Sequence, residues 1–133
     1  MADHTRKDLS VKVIQTRPGT VTLAPHGPLD SETYRILDAE IKGALTESVN
    51  TLVLDMAGVE FVTSSAIGII TRTQALLLHK GGELAMINLQ PQVKKAFEIM
   101  NLIPNLNIFE DEKELDEYLA KVQQRILDAD EGI

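Results

Sequence analysis

The chain has 133 residues, enough for one domain with a real core and too few for two. Its 13 basic and 20 acidic residues leave a net charge of −7, which argues against nucleic acid or an anionic membrane as the main partner. There is no cysteine, so disulfides, thiolate nucleophiles and zinc ribbons are excluded, and aromatics at 4% supply little for base stacking.

The opening stretch MADHTRKDLS has no apolar run of the signal-peptide kind. Residues 1–9 read as a loosely held tail. No apolar run approaches the roughly 18 residues of a membrane span. A soluble cytoplasmic protein is the expectation. Val11 and Val13 alternate with Lys12, which suits a half-exposed strand over residues 11–16. Arg17-Pro18-Gly19 is a turn, and β-branched Thr20, Val21 and Thr22 begin a second strand that runs to Ala24. The two predict a hairpin. Pro25-His26-Gly27-Pro28 then breaks the strand, and Asp30 and Ser31 are candidate N-caps. Tyr34, Leu37, Ile41, Ala44 and Leu45 follow at helical spacing, with Arg35, Asp38, Glu40 and Lys42 outside the stripe.

The middle of the chain, residues 52–82, carries the most information. Thr51-Leu52-Val53-Leu54 is a nearly continuous apolar run, typical of a strand covered on both faces. A short connection leads to Thr63, Ser64 and Ser65, where a helix over roughly 65–79 begins. Ser64 or Ser65 is its candidate N-cap. Ile67, Ile70, Thr73 or Gln74, and Leu77 form its buried stripe, widened by Ala66 and Ile69; His79 and Lys80 suit its last turn, and Gly81 its stop. Residues 83–89 predict a strand. Pro91 opens a helix with Val93, Phe97 and Met100 buried and Asn101 as its stop. Residues 106–109 predict a short strand. Asp111 with Glu114 forms a capping-box pattern, ahead of a helix striped by Leu115, Tyr118, Leu119, Val122 and Ile126. The order β-β-α-β-α-β-α-β-α predicts a single α/β domain over residues 10–127. Its mixed, mainly parallel sheet is covered by about four α-helices, and residues 128–133 form a frayed acidic end.

The first peptide N–H groups of a helix have no partner within it, so the start at residues 63–65 is electropositive. A hydroxyl fills that socket weakly and a phosphorylated one strongly. Hydrolysis is disfavoured. The Gly-x-Ser-x-Gly elbow is absent, because Val62 and Ala66 flank Ser64 and Thr63 and Ile67 flank Ser65. His4 and His26 are isolated, and His79 stands about 20 Å from Ser64 along the same helix. No spacing of His, Asp or Glu suggests a metal site, and Lys80-Gly81-Gly82 lacks a phosphate-loop frame. A phosphorylated aspartate at Asp55 would need further carboxylates for Mg²⁺, which the first strands do not end in. Asp55 reads instead as a brace for the loop it opens. No enzyme activity, cofactor or metal is expected.

Four stretches together resemble one family. GPLDSET at residues 27–33 is similar to G-x-L-D-x-x-T. LVLDMAGVEFVTSSAIG at 52–68 is similar to an apolar strand followed by D-L-x-x-V-x-F-x-D-S-S-G-L-G. KGGEL at 80–84 matches a helix end and next strand, and QPQVKKAFEIMNL at 90–102 is similar to x-P-x-V-x-x-x-F-x-x-x-G-L. From about residue 11 to 119 the chain therefore resembles the STAS-domain family, the anti-sigma factor antagonists. The resemblance implies a non-enzymatic switch that binds an anti-sigma factor with serine kinase activity and so frees a sigma factor. It implies phosphorylation at Ser64, ahead of Ser65 or Thr63, reversed by a serine phosphatase. It implies a docking surface of Asp30, Thr63, Ser64, Ser65, Ala66, Ile67 and Gly68. The family's aspartate before the serine is Thr63 here, and its glycine after the pair is Ala66. Some members of the superfamily act instead as constitutive interaction subunits of larger signalling or lipid-transport assemblies, and the three hydroxyls would then only cap the helix.

Overall fold

Alternation decides which side of the sheet each residue faces. In the computed structural model, which describes residues 9–100 and 106–131, β1 (Ser10–Arg17) and β2 (Thr20–His26) form the expected antiparallel hairpin around Pro18 and Gly19. β3 (Thr51–Asp55), β4 (Glu83–Ile87) and β5 (Asn107–Phe109) follow in parallel, in the spatial order β1-β2-β3-β4-β5. Between them run α1 (Tyr34–Ala44), α2 (Ser64–His79) and α3 (Pro91–Ile99), and α4 (Glu112–Glu131) closes the chain.

Leu52 and Leu54, with Leu84 and Met86, join the large core that also holds Leu37, Ile41, Ile70, Leu77, Val93 and Phe97 from α1, α2 and α3. Their neighbours Val53, Ala85 and Ile87 point the other way and meet Leu115 of α4, with Phe109 and Leu119 packed against them. This explains why residues 51–54 lack an apolar–polar alternation: both faces of β3 are covered. Tyr118 of α4 packs against Phe109 with ring centroids 5.0 Å apart. Burial first, then the Glu83 carboxylate, raise its phenol above the ordinary value against a smaller opposing pull from Arg125. An Arg17–Asp116 ion pair ties α4 to the end of β1.

Several boundaries differ from the sequence reading. Leu9, the one large apolar side chain among residues 2–9, is only 5% exposed and belongs to the core rather than to a loose tail. Pro25 does not break β2. Pairing with β3 ends at Leu23, so a proline beyond that point removes no bond from the β2–β3 ladder. β4 stops at Ile87, not 89, because Asn88 adopts φ 58° and turns the chain. Met100 lies past the end of α3 and is 45% exposed, so it is not part of the buried stripe. α4 continues through Glu131 instead of fraying after Asp128, since no glycine or proline interrupts it before Gly132. The expected stop at Asn101 and the tail over residues 1–8 lie outside the described residues, as does the side chain of Ile126.

Two helix ends follow the expected chemistry, the start of α4 and the stop of α2. Asp111 Oδ1 accepts the Glu114 N–H at 3.0 Å. The Glu114 carboxylate reaches back to the Glu110 N–H at 3.3 Å, one residue earlier than a strict capping box. Asp111→Ala is expected to lose about 1 kcal/mol of stability. A urea midpoint equal to that of the parent protein would count against this. At the far end of α2, Gly81 takes φ 82°, and the Gly82 N–H bonds Leu77 O at 2.7 Å, closing the helix in a left-handed stop.

Candidate functional site

The connection from β3 to α2, residues 56–63, is zipped along residues 26–29. Gly27 N–H donates to Gly58 O at 3.0 Å, Leu29 N–H to Phe61 O at 3.4 Å and Thr63 N–H to Leu29 O at 3.0 Å. Bridges pair His26 with Gly58 and Leu29 with Val62. The two segments therefore leave the sheet together, and Asp30 and Ser64 follow directly from the residues that are bonded. Asp30 starts a turn of its own. Its Oδ1 accepts N–H bonds from Glu32 at 2.9 Å and Thr33 at 3.0 Å, and its carbonyl accepts the Tyr34 N–H at 3.0 Å. Asp30 therefore caps this turn, and the N-cap of α1 itself is Thr33 rather than Asp30 or Ser31, with no cap bond from its side chain.

α2 begins at Ser64, and its N-cap is Thr63, not Ser64 or Ser65. Thr63 has the extended backbone of an N-cap (φ −103°, ψ 170°) and its carbonyl accepts the Ile67 N–H at 3.0 Å. Its hydroxyl caps nothing: Thr63 Oγ1 is buried without a hydrogen-bond partner. The leading N–H groups are therefore not satisfied by the side chain placed to do so. Thr63→Asp would set a carboxylate at that position and is expected to raise stability by about 1 kcal/mol. A lower denaturation midpoint in the variant would show that the buried position cannot accept it.

Of the residues expected to dock a partner, Ser64 and Gly68 are exposed, and Asp30, Thr63 and Ser65 are half-buried. Ala66 and Ile67 are corrected: they are 0% and 2% exposed and lie in the core. A residue on the buried stripe of an amphipathic helix cannot also meet another protein. Ser64 and Ser65 share a shallow depression of about 320 Å³ with Tyr34, Gly68, Ile69 and Arg72. A separate groove of about 690 Å³ has Asp30, Glu32 and Glu60 as its acids and Phe61, 48% exposed, on its wall. His26 lines this groove and Ser64 does not, so the pairing that a serine nucleophile would need is not formed there. Among the described residues no three His, Asp or Glu side chains are grouped to hold a metal ion, and no helix is long and apolar enough to cross a membrane.

The model of the STAS domain matches residues 12–115. The chain belongs to the STAS domain family. An anti-sigma F factor antagonist of Paenibacillus polymyxa is 25% identical over 95 residues, covering 71% of this chain and 81% of that protein. The crystal structure of an anti-sigma factor antagonist from Mycobacterium paratuberculosis superposes with a TM-score of 0.74 at 22% identity, over 87% of this chain and 95% of that one. The Bacillus cell fate determinant SpoIIAA in its phosphorylated form gives 0.64 at 22% identity, over 82% and 99%.

One part of this STAS domain escapes sequence reasoning. Three amide side chains at alternate positions after β4 reach back over the β3 end. Asn88 Nδ2 donates to Asp55 Oδ1 at 3.0 Å, Gln90 Nε2 to Ala57 O at 2.9 Å and Gln92 Nε2 to Glu60 O at 2.9 Å. Asp55 also accepts the Ala57 N–H at 3.1 Å, which makes it the expected brace. The available signal was the spacing of three amides, N-x-Q-x-Q, directly after a strand.

Proposed function

We propose that this STAS domain is an anti-sigma factor antagonist: a cytoplasmic, non-catalytic binding module that sequesters an anti-sigma factor and so releases a sigma factor. The anti-sigma factor is itself a serine kinase, and Ser64 is its phosphoacceptor. In that step the Ser64 oxygen forms a bond to the γ-phosphorus of ATP. The bond to the bridging oxygen breaks, ADP leaves, and the hydroxyl proton passes to the kinase. A serine phosphatase reverses the modification. The observation that carries the reading is the exposure of Ser64 at the first residue of α2 in a domain of this family. Support comes from relatives named as anti-sigma factor antagonists and from a protein of this fold solved in a phosphorylated form.

A phosphate adds about −1.5 to −2 charge at that point. The helix N-terminus tolerates it within the domain, whereas a partner surface fitted to a neutral hydroxyl does not. The test is to incubate the protein with a kinase-type anti-sigma factor and ATP and to map the phosphate by mass spectrometry. Modification at Ser64 is expected. Modification confined to another residue, or none with a proven binding partner, overturns the proposal. Thr63 favours a second reading, since its buried hydroxyl offers none of the carboxylate chemistry the family places there. On that reading the domain is a constitutive subunit of a larger assembly, and a Ser64→Ala strain reverses its signalling normally.

A further inference from the structure

We propose that Gln90 and Gln92 are positioning residues for the candidate docking site, acting as a latch from the start of α3 to the connection at residues 56–63. The connection has two sides. On one it is zipped to residues 26–29 by main-chain bonds from Gly27, Leu29 and Thr63. On its other side Met56 N–H still donates to Ile87 O at 3.0 Å, and beyond it no strand among the described residues pairs with the connection, because β4 ends at Ile87 and Asn88 turns the chain away. The carbonyls of Ala57 and Glu60 would face water there. Instead each accepts a bond from a glutamine amide at 2.9 Å, and the Gln92 amide also donates to Gln90 Oε1 at 2.9 Å.

The two glutamines thus do with side chains what a neighbouring strand would do with its backbone. They stand at alternate positions around Pro91, which has no N–H to donate and opens α3. The held segment carries Phe61 and Glu60 on the wall of the groove and ends at Thr63, the N-cap that sets where Ser64 begins. Gln90 lines that groove itself. All the bonds lie at the surface, so they add little to global stability and much to local order.

Hydrogen exchange on the full chain tests the latch. In Gln90→Leu with Gln92→Leu, the amides of Val59 and Thr63 are expected to exchange about fivefold faster per bond removed. The strand amides of Leu84 and Met86 should keep their parental rates. Gln92→Arg, longer and still an N–H donor, should restore slow exchange where Gln92→Asn, one methylene shorter, should not. Unchanged exchange at Val59 and Thr63 overturns the proposal. So does a uniform acceleration through the sheet, because the glutamines would then brace the whole fold. The consequence for Ser64 rests on the proposed function: with a kinase-type anti-sigma factor, kcat/KM for Ser64 should fall in parallel. A zero rate for parent and variant alike removes the phosphorylation reading and leaves the exchange result to decide the latch.

Discussion

Gly82→Ala is expected to cost at least about 3 kcal/mol, a large share of the roughly 5–15 kcal/mol that holds a domain together. A Cβ built at Gly82 would stand 2.2 Å from Asn50 O, 3.1 Å from Asn50 C and 3.3 Å from Asn50 Cα, all of them backbone atoms. Asn50 cannot yield. Its N–H donates to Gly19 O at 3.0 Å, and its carbonyl accepts the Glu83 N–H at 2.8 Å as the first rung of the β3–β4 ladder. The methyl therefore pushes β4 off β3 where the two strands begin to pair. Gly68 is the contrast. A Cβ there meets nothing within 4 Å, and the residue sits inside α2, so Gly68→Ala is expected to gain about 1 kcal/mol. Urea midpoints of the two variants should move in opposite directions at similar slopes. A midpoint for Gly82→Ala equal to the parent's would mean that the close approach to Asn50 imposes no cost.

The same contrast marks how far one sequence can be read. Residues 51–54 announced a doubly covered strand because neither Val53 nor Leu54 is polar, and each proves to face a different core. The stripe Ile67, Ile70, Thr73, Gln74 and Leu77 was equally legible and is buried as a set. That periodicity already denied Ile67 and Ala66 to a partner, and it outweighed the docking role the family pattern implied for them. Pro25 looked like a breaker because its legality depends on where β3 stops, which lies far along the chain. The hidden Thr63 hydroxyl depends on its neighbours' packing rather than on its place before a helix. Asn88, Gln90 and Gln92 bond groups 32 or 33 residues back, and amides at alternate positions carry no apolar period to betray them.

On the proposed function, Ser64→Asp is expected to weaken binding to a kinase-type anti-sigma factor by roughly 100-fold, while Ser64→Ala stays within about threefold of the parent. The prediction sets stability against affinity. At the first residue of α2 a carboxylate lies near the unpaired N–H groups, so the domain itself should be unharmed or stabilised by about 0.3–1 kcal/mol. In the proposed complex the same carboxylate would have to leave water and meet a surface shaped for a hydroxyl, a loss of several kcal/mol. Phosphoserine, with more charge and more bulk, should act in the same direction and further than aspartate. Titration calorimetry and thermal denaturation on the same three proteins separate the terms. Equal affinity of Ser64→Asp and Ser64→Ala, with both variants folded, would remove charge at the α2 start as the element that switches docking.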